Sequence, residues 1–160
     1  MAIEKNIDIA LLDVCKAFNA EGVRYVLIGG WAVIIHGFPR LTNDIDFLIE
    51  HSPENTEKAK KALYKVFHDE SIEDIKSTDI ADYSVVRYVS PDGVYIDLIG
   101  RIGEVANFDT VSRHIELFEV LDTVIPVLSV EMLIKLKDTL RDKDRMDLAF
   151  LKEKLTRKKR

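Results

Sequence analysis

The chain has 160 residues, of which 47% are hydrophobic and 32% charged, with a formal net charge of −5. That length suits one domain, which buries about two thirds of its unfolded surface and needs no staples. The single cysteine, Cys15, excludes an internal disulfide, and its apolar neighbours Leu11, Leu12, Val14 and Phe18 make it a buried structural thiol. Residues 1–8 carry charges and lack a signal-peptide run, and no stretch approaches the roughly 20 apolar residues that span a bilayer. The expectation is a cytoplasmic protein with no membrane partner. From Lys152 to Arg160 six Lys/Arg face one Glu, a local charge of +5 that leaves −10 for residues 1–151 and reads as a solvated helix end. The absence of glutamine and the wealth of Lys and Glu fit a thermophilic source.

In chain order, residues 6–20 carry apolar side chains at helical spacing (Ile7, Leu11, Leu12, Val14, Cys15, Phe18), with Gly22 as the stop. Val23–Ile28 reads as a short buried strand ending at Gly29-Gly30, and Trp31–Ile35 as a short helix broken by Gly37 and Pro39. Asp44–Glu50 reads as a strand, and Pro53–Phe67 as an amphipathic helix with proline in its first turn. Strands follow at Ser84–Val89 and Val94–Ile99 around the turn Ser90-Pro91-Asp92-Gly93, then at Ile115–Leu121 and Thr123–Leu128. Ser129 is positioned as the N-cap of a helix whose face holds Met132, Leu133, Leu136 and Leu140, and a last helix runs over 142–155. The order predicts an α/β (α+β) fold: a core over residues 1–128, and a helical segment over 129–160 packed on the same domain.

Asp44 and Asp46 lie two apart in an apolar strand, so both carboxylates point to one face. Such pairs also arise by chance in an Asp-rich chain, and Asp142 with Asp144 forms another. Asp97 is the one charge inside Val94–Ile99, where an ionised carboxylate needs a cation or strong donors. If these two strands are neighbours, three carboxylates converge, and two unit charges about 4 Å apart cost roughly 4 kcal/mol at an effective dielectric near 20. A divalent ion turns that repulsion into binding, and hard oxygen ligands favour Mg²⁺ or Mn²⁺ over zinc. The competing reading pairs Asp97 with Arg87 or Arg101 and gives the other two capping or surface duties.

The glycine pair between strand and helix leaves backbone N–H groups able to hold a phosphate, and is equally an ordinary turn; neither a dinucleotide fingerprint nor a P-loop is present. Taken whole, Gly29-Gly30 after a strand, a short helix, Arg40-x-Thr42-x-Asp44-x-Asp46 and a later acidic Asp97 resemble the polymerase-β-like nucleotidyltransferase superfamily. The spacing from Arg40 is similar to the branch of AbiEii-type toxins and related small bacterial and archaeal proteins. Lys137, Arg141, Lys143, Asp144, Asp147 and Leu148 match the pattern that often closes that branch, with Lys135 an alternative to Lys137. Two features depart from the pattern or blur it: Gly30 stands where the superfamily often has serine, and the register of the C-terminal lysine is ambiguous.

The resemblance implies a mixed β-sheet core flanked by helices, and an enzyme that moves a nucleoside monophosphate from an NTP such as ATP onto a hydroxyl of tRNA, a protein or a small molecule. It implies two Mg²⁺ (or Mn²⁺) ions on Asp44 and Asp46, with Asp97 sharing the metal beside the acceptor hydroxyl. Gly29, Gly30, Lys137 and Lys143 would attend the phosphates, Arg40 would join them or merely pair with a surface carboxylate, and Thr42 would orient the loop or an aspartate. Asp144 and Asp147 would orient the lysines or cap the last helix. His36 and Trp31, beside the site, read as structural ahead of positioning or base-stacking roles. A cognate antitoxin is an implied partner. The competing functions are a catalytically silent nucleotide- or partner-binding module of a toxin–antitoxin type system, against which the intact acidic trio argues, and a metal nuclease, whose acidic-x-Lys motif is missing at Asp97-Leu98-Ile99.

Overall fold

The computed structural model of the chain describes residues 2–83, 85–103, 106–136 and 142–158; the side chains of 2–8, 83, 142–146 and 158 fall outside the description. The first helix, α1 (Ala2–Glu21), leads into β1 (Tyr25–Ile28), α2 (Gly29–Ile35), β2 (Asp44–Ile49) and α3 (Pro53–Phe67). A 3₁₀ turn (Glu70–Asp74), α4 (Ser77–Tyr83) and the hairpin β3 (Val85–Val89) and β4 (Tyr95–Ile99) follow. Then come a two-stranded ribbon, β5 (Arg101–Ile102) with β6 (Ala106–Asn107), the short α5 (Phe108–Val111), the hairpin β7 (Ile115–Val120) and β8 (Thr123–Leu128), and finally α6 (Val130–Leu136) and α7 (Asp142–Lys158).

Six strands form one mixed sheet in the order β3-β4-β2-β1-β8-β7. Its centre is antiparallel between β1 and β2, while β2–β4 and β1–β8 are parallel. The fold is therefore the mixed α/β arrangement expected from the element order. One face of β2 carries the core: Phe47 meets Phe18 of α1 edge-on at 5.1 Å, and Tyr25 completes an aromatic trio with both. Because strand side chains alternate, Asp44 and Asp46 project from the other face.

Several boundaries differ from the expectation, each for a physical reason. Val23 and Arg24 lie outside β1, because the Asn55 side chain accepts from the Arg24 N–H at 2.8 Å and donates to its carbonyl at 3.0 Å. The Asn55 side chain thus takes the Arg24 N–H and shares the Arg24 carbonyl with the Glu50 N–H. The helix after β1 begins at Gly29 rather than Trp31, so both glycines belong to its first turn. The 3₁₀ turn and α4 were not foreseen: α4 is seven residues long and, among its described side chains, sets only Ile80 fully in the core, too little for a periodic signal. It packs where Gly100 leaves room, since a β-carbon there would meet the Ile80 carbonyl oxygen at 2.8 Å. The strand at Asp44–Ile49, the helix α3 and the two hairpins stand close to where the sequence places them. Ser129 caps α6 as expected, its hydroxyl accepting from the Met132 N–H at 3.3 Å. Leu140, assigned to that helix face, lies outside the described residues.

Cys15 is fully buried, and burial pushes its thiol up to about 12. Among the described residues no helix is long and apolar enough to cross a membrane.

Candidate active site

The parallel pairing of β2 with β4 sets Asp46 directly across from Asp97, with Asp44 opposite Tyr95. On the far side of β4, the antiparallel β3 sets Arg87 across from Asp97. Paired residues in a ladder share a face, so Asp44, Asp46, Asp97 and Arg87 stand on one surface of the sheet, away from the Phe18–Phe47 core. The condition stated from sequence, that the two acidic strands be neighbours, is met.

The carboxylates nonetheless do not converge freely. Arg87 grips Asp97 with both arms of its fork, Nε to Oδ1 at 2.8 Å and Nη2 to Oδ2 at 3.0 Å, and the same Nη2 donates to Asp44 Oδ2 at 3.1 Å. Its guanidinium also lies over the Tyr95 ring, 5.1 Å from the centroid. The hydrogen-bonded charge of Asp97, with Asp44 and Asp46 nearby, raises the arginine pKa further above its ordinary value. Among the described residues, no three His, Cys, Asp or Glu side chains stand close enough to hold an ion as they are. Both sequence readings of Asp97 thus meet in one place: it lies beside the acidic pair, and it is held by Arg87. Arg101, the other candidate partner, is exposed on β5.

Asp46 has a different neighbour. A β-carbon on Gly29 would fall 2.1 Å from Asp46 Oδ2, and Gly29 has φ +73°, a conformation that side chains resist. At Gly30 a β-carbon would meet Thr42 Oγ1 at 2.8 Å and Arg40 Nη1 at 3.4 Å. The glycine pair therefore packs its bare backbone against Asp46, Thr42 and Arg40. A serine at position 30 would need Thr42 to move, which accounts for glycine here. Thr42 Oγ1 makes only a long contact, 3.4 Å, to the Asp44 carbonyl.

The C-terminal helix reaches this cluster. Arg40 Nη1 pairs with Asp147 Oδ2 at 2.6 Å, and Asp147 is 1% exposed. Phe38 stacks on Phe150 at 4.9 Å, and Lys154 donates to the His36 carbonyl. These contacts pin the loop between α2 and β2 onto α7. Asp147, expected to orient lysines or cap the last helix, has Arg40 among its partners; a contact 107 residues apart has no local signature. His36 is buried, its Nε2 2.9 Å from the Leu128 carbonyl and its ring edge-on to Phe118. Trp31 is half-buried and packs against the core, as its apolar flanks suggested. Lys137 lies outside the described residues, and Lys143 falls on α7 with its side chain undescribed.

Comparison with known proteins now bears on this geometry. Residues 11–151 match the family described as the nucleotidyl transferase AbiEii toxin of type IV toxin–antitoxin systems. The chain belongs to the AbiEii nucleotidyltransferase family. It is, accordingly, a nucleotidyltransferase. The matched region includes the acidic strands, the glycine pair and Asp147, so the family's extent runs from α1 into α7.

Solved structures agree at the level of the fold. The lincosamide antibiotic adenylyltransferase LnuA, with lincomycin bound, superposes at TM-score 0.55 and 18% identity, covering 92% of this chain and 95% of that one. A Thermotoga maritima protein assigned as a nucleotidyltransferase gives 0.51 and 16%, covering 94% and 89%. An antigenic nucleotidyltransferase-like protein from Paracoccidioides brasiliensis gives 0.54 and 13%, covering 89% and 73%. No curated protein matches the chain by sequence.

Proposed function

We propose that this AbiEii-family protein transfers a nucleoside monophosphate from an NTP to a hydroxyl of a tRNA, a protein or a small molecule, using divalent metal held by Asp44, Asp46 and Asp97. The observation that carries the reading is the strand register, which sets Asp97 across from Asp46 beside the glycine pair. The donor set fits Mg²⁺ or Mn²⁺, since it is made of hard carboxylate oxygens and a guanidinium already stands in as cation between Asp44 and Asp97. When bound, such ions neutralise charge on the phosphates and lower the cost of deprotonating the acceptor hydroxyl.

The chain's own groups supply the rest. The hydroxyl oxygen attacks the α-phosphorus in line, the new P–O bond forms as the bond to pyrophosphate breaks, and the hydroxyl proton leaves toward Asp97. Gly29 and Gly30, with no β-carbon of their own, bring the backbone at the start of α2 close to Asp46, Thr42 and Arg40, where the β and γ phosphates would lie. Arg40, fixed by Asp147, offers a charge-assisted contact to the same phosphates, and Lys137 and Lys143 belong to that group through the family pattern. Thr42 orients the loop that leads into Asp44. The family's description, a toxin of a toxin–antitoxin system, supports a cognate antitoxin as partner.

The test is transfer of label from each α-labelled NTP to total tRNA, cell protein and hydroxyl-bearing antibiotics with Mg²⁺ or Mn²⁺. Wild type should transfer, and Asp44→Ala/Asp46→Ala should lose at least about a hundredfold, as expected when charge stabilisation at the reacting centre is removed. Equal transfer by both proteins would overturn the assignment.

A further inference from the structure

The contact that separates this site from a bare carboxylate cluster is Arg87. We propose that Arg87 competes with the divalent metal for Asp44 and Asp97, so that loading the site is an exchange of a guanidinium for an ion. The inference rests on the metal site proposed above and concerns what that site holds before metal arrives.

Three observations carry it. Arg87 occupies both oxygens of Asp97 and Oδ2 of Asp44, the atoms an ion would need. Oxygens committed to a guanidinium cannot also serve a divalent cation without placing two positive centres side by side. Second, Asp97 is buried and its side chain only 10% exposed, so without a cation the site would hold a charge in poor solvent beside two others. Arg87 lets the empty site fold. Third, the Arg87 side chain is 48% exposed, so it can leave for water without stranding its own charge. The Tyr95 face under the guanidinium, on the neighbouring strand β4, gives it a resting surface. In the exchange no covalent bond changes; one cation replaces another, and the arginine keeps its proton.

The experiment measures Mn²⁺ binding by the loss of the free-ion electron paramagnetic resonance signal, on the full chain, with melting followed in EDTA and in Mn²⁺. Wild type is compared with Arg87→Met, Arg87→Lys and Asp44→Asn. Arg87→Met should bind Mn²⁺ about tenfold more tightly, since a charge-assisted hold of some 1.4 kcal/mol no longer has to be broken. It should melt lower than wild type in EDTA and gain more on adding Mn²⁺. Arg87→Lys, which cannot grip both oxygens of Asp97, should fall between the two, and it carries the test if the methionine variant does not fold in EDTA. Equal or weaker binding by both Arg87 variants would overturn the exchange while leaving the metal site standing. Mn²⁺ binding that is absent throughout, or untouched by Asp44→Asn, would overturn the metal site and the exchange together.

Discussion

Two arginine–aspartate pairs border this site, and they differ in burial more than in chemistry. Arg40 reaches Asp147 at 2.6 Å, where the arginine side chain is 22% exposed and the carboxylate 1%. Arg87 reaches Asp97 at 2.8 Å with its own side chain 48% exposed. Opening the first pair leaves a carboxylate in the interior with its guanidinium gone; opening the second returns an arginine to water and leaves Asp97, 10% exposed at the mouth of the acidic cluster, to an incoming ion. The same ion pair is therefore a bolt on the α7 side and an exchangeable plug on the β3 side. Burial decides which, because desolvation sets the cost of losing the guanidinium.

The comparison breaks or sharpens under substitution. The largest stability effect should come from Arg40→Met, which removes the guanidinium from Asp147 and should cost about 3 kcal/mol in urea denaturation. Adding Asp147→Leu should recover part of that loss, since the buried charge is then gone as well. A cost below about 1 kcal/mol would put Arg40 with ordinary surface pairs and erase the contrast.

Gly29→Ala tests the cradle next to Asp46. The backbone there has φ +73°, so an alanine costs about 1–2 kcal/mol, and its β-carbon must push Asp46 Oδ2 aside. Transfer activity should fall further than that stability loss explains, which a comparison of kcat with the urea midpoint would show. Arg87→Met should cost less than Arg40→Met in EDTA but more than an exposed pair, because Asp97, its side chain 10% exposed, is left beside two other carboxylates. A loss as large as that of Arg40→Met would contradict its role as a removable plug.

The smallest effect concerns Cys15. Its folded thiol is raised from 9.0 to about 12, so between those values the unfolded chain loses a proton that the folded chain keeps. Stability should be unaffected below about pH 9 and decline as pH rises toward 12. The native protein should resist thiol reagents at pH 8 and react on unfolding; rapid reaction in the native state would show that Cys15 is not in the core.

Much of the site was legible because its residues sit close together in sequence. Gly29, Gly30, Arg40, Thr42, Asp44 and Asp46 fall within eighteen consecutive positions, and strand alternation alone puts the two aspartates on one face. Asp97 could be singled out because a lone carboxylate in an apolar strand demands a partner. The partner itself was harder. Arg87 and Arg101 were equal candidates on proximity, and only the antiparallel register of β3 with β4 sets Arg87 across from Asp97. The pairing of Asp147 with Arg40 was not legible, because the two lie 107 residues apart. Short elements such as α4 and the β5–β6 ribbon escaped for a simpler reason: they bury too few apolar side chains to show a period.

The sequence by itself determined the α/β class, the acidic pair, the glycine turn and the family pattern, since each depends on spacings of a few residues that local geometry converts directly into direction. The tertiary structure decided which charges meet. The β2–β4 crossover brings Asp97 beside Asp46, the β3–β4 register hands Arg87 to Asp97 and Asp44, and the docking of α7 locks Arg40 onto Asp147. Those outcomes depend on burial and long-range register, which arise only when the whole sheet is assembled and desolvates one pair more than the other.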